Sequence, residues 1–262
     1  MSHFDPEVIS KCPDGMAAAE WEHRIQLAMC YRLFDHLGWA EMIFNHITLR
    51  TTAGADGRYR YLINPFGLHY TEVTARNLIA IDAEGYQASD QNGQVNRAGF
   101  VIHSAIHAAR ADAHCVMHTH TTAGSAVACK ASGLRHDNFY SALLFGDVGY
   151  HDYEGVTTNT DEQPRLVASL GTCNHLVLRN HGLLTVGSTL PQAFQRLWLM
   201  QRACEIQLAS DAGAGANIAI NEDILRKVPA TRLQAQADRL DVATLSFNAM
   251  CRRAGLQPQD VV

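Results

Sequence analysis

Two histidines, His118 and His120, end the apolar run Cys115-Val116-Met117 inside the stretch from Asp112 to Gly124. A short run of that kind, broken by a glycine, predicts a buried strand. Side chains alternate along a strand, so the two imidazoles point the same way from its C-terminal end. Two neutral imidazoles aimed at one place are half of a metal site, and a third histidine would complete an open one. Taken alone, a His-x-His pair is equally the mark of hydrogen-bonded polar residues at a sheet edge. Asn180-His181-Gly182 tips the balance. It lies between the apolar runs Leu176-Val177-Leu178 and Leu183-Leu184-Thr185-Val186, on the tight connection of an expected hairpin.

Other elements must carry these residues. Helical spacing of Trp21, Ile25, Ala28, Met29, Leu33 and Leu37 predicts an amphipathic helix over 16–37, with Asp14 as cap and Gly38 as stop. A strand is expected around Phe44, Ile47 and Leu49, a second at 60–63, a short helix capped by Thr71 over 71–78, and a third strand at 79–82. The turn Asn45-His46 either bonds its own backbone or binds a substrate oxyanion; the first is the commoner use of such an asparagine. A helix from Phe100 to Arg110 puts His103 and His107 on one face, where a hydrogen-bonded pair is favoured over metal ligation. Small residues from Gly124 to Ala131 suit a helix packed close to the sheet. A strand is expected at 146–150 and a helix at 161–170. Thr189, Pro191 and Gln192 start a long helix to about Ser210. Residues 1–14 read as a leader, 15–210 as the domain, and 211–262 as a linker followed by a helical extension.

Composition limits the function classes. A net charge of −5 gives no electrostatic case for nucleic acid or an anionic membrane surface. The seven cysteines are odd in number and scattered, which suits reduced thiols in the cytoplasm. No signal peptide or membrane span is expected. With 14 histidines in the chain, most must be structural, so each one needs a local argument.

The combination of His118-Thr119-His120, the Asn180-His181-Gly182 hairpin, the turn and strand from Gly38 to Arg50, and the helix bearing His103-Ser104-Ala105-Ile106 resembles the class II aldolase and adducin head-domain family. Gly99-Phe100-Val101-Ile102-His103-Ser104-Ala105-Ile106 and Gly149-Tyr150-His151-Asp152-Tyr153-Glu154-Gly155 resemble its adducin-like branch. The resemblance covers roughly residues 16–210. It implies a single three-layer α/β/α domain with a central, mainly antiparallel sheet, in a homotetramer. It also implies a divalent metal on His118, His120 and His181, most often Zn²⁺, with Mn²⁺, Co²⁺ or Fe²⁺ as alternatives. The family's enzymes cleave or rearrange sugar-derived hydroxy-carbonyl compounds through enediolate chemistry. Their Ser-Ser-Glu segment corresponds here to Arg97-Ala98-Gly99, so the usual base carboxylate is missing, a loss of about 100-fold or more in proton transfer. Arg97, Asn45 and Gly67 fall at anion-binding positions, Tyr140 near a proton-donating tyrosine supplied by a neighbouring subunit, and His107 where it could replace the base. Two readings follow: a metal-dependent lyase, or a non-enzymatic adducin-like oligomerisation module that keeps a metal site.

Overall fold

The computed structural model describes residues 4–53, 57–85, 93–156, 160–228 and 241–262. Seven strands, β1 (His46–Arg50), β2 (Tyr61–Ile63), β3 (Ile79–Ile81), β4 (Cys115–Thr119), β5 (Val148–His151), β6 (His175–Leu178) and β7 (Gly182–Gly187), form one sheet in the order β3-β2-β1-β4-β7-β6-β5. Every neighbouring pair is antiparallel except β5–β6. The helices are α1 (Pro6–Ile9), α2 (Ala18–His36), α3 (Arg97–Ala109), α4 (Thr122–Ala128), α5 (Phe139–Ala142), α6 (Gln163–Leu170), α7 (Leu190–Asp211), α8 (residues 222–228) and α9 (Val242–Arg253).

The layers follow from alternation along the strands. Ile47, Leu49, Cys115, Met117 and Leu183 pack in one apolar cluster with Ile25, Leu33, Phe194, Leu197 and Phe247 of α2, α7 and α9. Val116, Leu184 and Val186 face the other way, onto Ile102 and Ile106 of α3 and Leu166 and Leu170 of α6. The sheet is thus the middle of three layers, as the expected fold requires. His46, Thr48 and His118 share the α3 side, paired across β1 and β4 as His46 with His118 and Thr48 with Val116.

Two local expectations change. Helix α2 begins after Ala17, which offers no side-chain cap, so Asp14 is not its start signal. No helix spans 71–78. Only a 3₁₀ turn, Tyr70–Glu72, forms there, capped by His69 in a reciprocal exchange with Glu72. Thr74 and Asn77 then bond each other's backbone N–H groups, and buried Arg24 donates to the carbonyls of Ala75 and Leu78. Those short polar side chains compete with helical hydrogen bonds, and they win. The flanking segments are also tied in. Val8 and Val261 lie in the same apolar cluster as the sheet, Trp21 donates to the carbonyl of Val8, and Phe247 packs edge-on against Phe194 at 5.5 Å. Among the described residues no helix is long and apolar enough to cross a membrane.

Candidate metal centre

His118 lies near the end of β4, His120 one residue beyond it, and His181 in the turn from β6 to β7. Their Nε2 atoms converge: 2.7 Å from His118 to His120, 2.8 Å from His120 to His181 and 3.3 Å from His118 to His181. A tetrahedral ion with bonds of about 2.0–2.1 Å holds its nitrogens about 3.3 Å apart, so two edges of the triangle need to open by only about 0.5 Å. Proton placement agrees. Nδ1 of His118 is 2.9 Å from the carbonyl of Leu183, which can only accept, so the proton sits there and Nε2 is a bare lone pair. Burial, reinforced by the neighbouring imidazoles, holds His118 well below the ordinary histidine range; burial first, then His120, lowers His181 to about 4, and burial lowers His120. All three are neutral at pH 7, the form that ligates. The donor set therefore fits a divalent ion. Among the described residues no other His, Cys, Asp or Glu joins the cluster, which leaves one side of it open.

Several contacts fix this arrangement. Asn180 adopts φ +58°, a left-handed value that asparagine tolerates, and His181 closes the turn by donating its N–H to Leu178. Ser125 of α4 donates to the carbonyl of His181 at 2.9 Å, and Asn180 N–H donates to the carbonyl of Ala128. The hairpin lies so close to β4 that a Cβ on Gly182 would stand 2.3 Å from the carbonyl oxygen of Thr119. Only glycine permits that approach.

The trio opens into a cavity of about 710 Å³ whose walls include His46, Phe66, Gly99, Ser125 and Tyr153. A second cavity, of about 760 Å³ between α2 and α9, is lined by His23, His114 and Arg50, and among the described residues it holds no converging set of ligands.

The remaining candidates have mixed placements. Asn45 is buried; its amide donates to the carbonyl of Trp39 and its oxygen accepts the N–H of His120 at 3.2 Å, so it clamps a ligand's backbone instead of facing the cavity. Gly67 is exposed with φ +98°, next to the cavity residue Phe66. Arg97 begins α3, and its side chain lies outside the described residues. His107 is not brought to the cavity. It is buried, with Nδ1 on the carbonyl of Ala113 and Nε2 on the hydroxyl of Thr48, each at 2.7 Å, so both nitrogens are engaged. Tyr140 packs on Trp198 at 5.6 Å and does not line this chain's own cavity. The phenol near the trio is that of Tyr153, whose ring centre is 6.4 Å from that of His181. His46, read from the sequence only as part of the Asn45-His46 turn, also reaches the trio; its ring centre is 5.5 Å from that of His118. Its signal is strand parity, usable only once β1 is known to pair with β4.

Comparison with known proteins agrees with this architecture. The profile of the Class II Aldolase and Adducin N-terminal domain matches residues 25–208. A putative aldolase class 2 protein of Pseudomonas aeruginosa is 44% identical over 210 residues, 80% of each chain. Alpha-adducin of Mus musculus is 43% identical over 195 residues, 73% of this chain but 26% of the adducin, so the chain spans about a quarter of that relative. The solved L-fuculose 1-phosphate aldolase from Glaciozyma antarctica PI12 superposes with a TM-score of 0.78 at 27% identity, covering 96% of this chain and 98% of that one.

Proposed function

The chain belongs to the class II aldolase and adducin N-terminal domain family, and on that premise we propose that it is a divalent-metal-dependent lyase acting on a small hydroxy-carbonyl or sugar-derived substrate. The observation that carries the reading is the convergence of three neutral Nε2 atoms on an open cavity. In this reading His118, His120 and His181 hold the ion, Zn²⁺ first and Mn²⁺, Co²⁺ or Fe²⁺ as alternatives. A bound ion would polarise a substrate carbonyl or hydroxyl oxygen, the part of an aldol-type cleavage that side chains alone do poorly. The chain's own residues orient and enclose: Asn45 and Ser125 lock the backbones of His120 and His181, while Phe66 and Tyr153 wall the cavity. Gly67 and Arg97 are assigned to the anionic end of the substrate. Tyr140 is assigned as proton donor to the site of a neighbouring copy in a homotetramer, and water takes the proton that an aldolase carboxylate would take. We place the protein in the cytoplasm, with residues 15–210 as the unit that carries the chemistry and 211–262 as an addition to it.

A second reading, an adducin-like oligomerisation or binding module, is favoured by one specific finding. Identity to alpha-adducin, 43%, is within one per cent of that to the putative aldolase, 44%, while position 99 carries no carboxylate. Metal content tests the site on which the lyase reading depends. Elemental analysis of the purified wild type should find about one divalent ion per chain, lost in His118→Ala and in His181→Ala. A wild type that is metal-free and refuses added zinc overturns the lyase reading and leaves the binding module.

A further inference from the structure

His46 has one ring nitrogen with nothing to bond. Its Nε2 is buried and has no hydrogen-bond partner, and the residue is only 3% exposed, yet it lines the cavity with the three candidate ligands. Leaving a buried imidazole nitrogen unpaired costs about 1–3 kcal/mol. Such a group calls for an explanation from its surroundings.

Neighbouring protein groups do not supply the partner. The nearest aromatic, His103, lies with its ring centre 4.2 Å away, and its own hydrogen is committed elsewhere. Ala113 can only accept, so Nδ1 of His107 carries a proton and Nε2 of His107 accepts. Thr48 must then donate to His107 and accept from Nδ1 of His103 at 2.7 Å. That leaves Nε2 of His103 a second buried atom without a partner. The other polar groups beside His46 are the carbonyl of Phe44, a long contact of 3.5 Å from Nδ1, and the backbone of Gly99, and neither gives Nε2 a hydrogen bond. His46 is itself part of the cavity wall, so the cavity is the side from which a ligand would reach Nε2.

The backbone is shaped to seat this ring. A Cβ on Gly99 would lie 2.4–2.7 Å from Cε1, Nε2 and Nδ1 of His46, closer than any side chain could stay. Gly99 has an ordinary helical backbone, with no left-handed φ to require glycine. Glycine also weakens a helix by about 0.5–1 kcal/mol relative to alanine. The imidazole is what demands it.

We propose that His46 is a substrate-contacting residue of the metal centre, seated in the space that Gly99 leaves, and that it selects ligands carrying a hydroxyl beside the metal-binding group. A hydroxyl both donates and accepts, so it satisfies Nε2 in either tautomer of the ring. A methyl in its place leaves the nitrogen unpaired. This inference rests on the metal reading above, and the test keeps the two apart.

The protein is loaded with Co²⁺, whose visible bands report its coordination, and titrated with acetohydroxamate and with glycolohydroxamate. Both chelate through the hydroxamate and differ by one hydroxyl. Wild type should bind glycolohydroxamate about 3–10-fold more tightly, the yield of one hydrogen bond. His46→Phe should reduce that ratio to about 1, with acetohydroxamate affinity within about twofold of wild type, because the chelate itself is untouched. Gly99→Ala, which keeps the imidazole but displaces it, should do the same and stands in should His46→Phe fold poorly. A ratio near 1 in wild type, or one that survives in His46→Phe or Gly99→Ala, overturns the role of His46 while the cobalt spectrum upholds the metal site. A folded wild type that takes no cobalt overturns the metal reading, and this inference falls with it.

Discussion

Replacing Gly182 by alanine tests whether the β6–β7 hairpin sets the geometry of the trio. The added Cβ would stand 2.3 Å from the carbonyl oxygen of Thr119 and 3.3 Å from Cδ2 of His120. Its backbone φ is not left-handed, so the substitution acts through that contact and not through torsional strain. Separations under 3.0 Å are essentially never adopted, so β7 must withdraw from β4 by at least 3.0 − 2.3 = 0.7 Å. His181 rides on the hairpin and would move with it, stretching its 3.3 Å separation from His118 to about 4.0 Å, beyond what one tetrahedral ion spans. Metal affinity should fall about 10–100-fold, the scale of other substitutions that disturb ligands from outside the coordination sphere. Overpacking should also lower stability by about 1–3 kcal/mol. The assay is chelator competition for Zn²⁺ on protein shown by circular dichroism to be folded. Gly67→Ala is the control: φ +98° there costs about 1–2 kcal/mol of strain, but nothing lies within 4 Å of the new Cβ, so zinc affinity should hold. A folded Gly182→Ala protein with wild-type zinc affinity would refute the reasoning.

Two further outcomes follow from the buried polar groups on the α3 side. Thr48→Val keeps the shape of the side chain but strands Nδ1 of His103 and Nε2 of His107; urea unfolding should show a loss of about 2–4 kcal/mol, and a change below about 0.5 kcal/mol would show that the hydroxyl does not bridge them. His107, buried and further disfavoured as a cation by Arg50 and His114, titrates at about 3 in the folded chain against 6.5 for an ordinary histidine. Between those values the unfolded chain binds a proton that the folded one refuses. Its contribution is therefore complete above pH 6.5 and is lost as pH falls toward 3, amounting to about 2 kcal/mol by pH 5. Unfolding free energies measured at pH 7 and pH 5 should differ less, by about that amount, in His107→Gln than in wild type; equal differences would place the proton elsewhere.

The sequence carried the trio because each histidine ends or interrupts an apolar run, and the parity of a strand is readable without knowing its neighbours. It carried the long helices and the hairpin for the same reason: periodicity and caps are local. What needed the folded chain was pairing. Asn45 is a turn residue by sequence and a clamp on His120 in space, a contact across 75 positions. His46 faces His118 only because β1 and β4 are neighbours. The fate of 71–78 turned on side-chain competition from Thr74 and Asn77, which a propensity argument does not weigh. Tyr140 was suggested by order along the chain, whereas Tyr153 sits beside His181 through the packing of a loop. The leader and the helical extension were placed by local composition and spacing alone, and only the folded chain shows that Val8, Phe247 and Val261 pack in the same apolar cluster as the sheet.

The α3 face of the central pair of strands also works as a proofreading device for assembly. On β1 and β4 the polar residues His46, Thr48 and His118 share one parity with Val116, and the apolar residues Ile47, Leu49, Cys115 and Met117 share the other with Thr119. Sliding either strand by a single residue would exchange the two sets, thrusting imidazoles into the hydrocarbon layer and leaving α3 to cover bare methyl groups. Each misplaced polar group would be penalised by a few kcal/mol. The residues grouped around the candidate chemistry thus also label the alignment in which the sheet closes, and a variant that made this face uniformly apolar would gain grease while losing a record of which rung meets which.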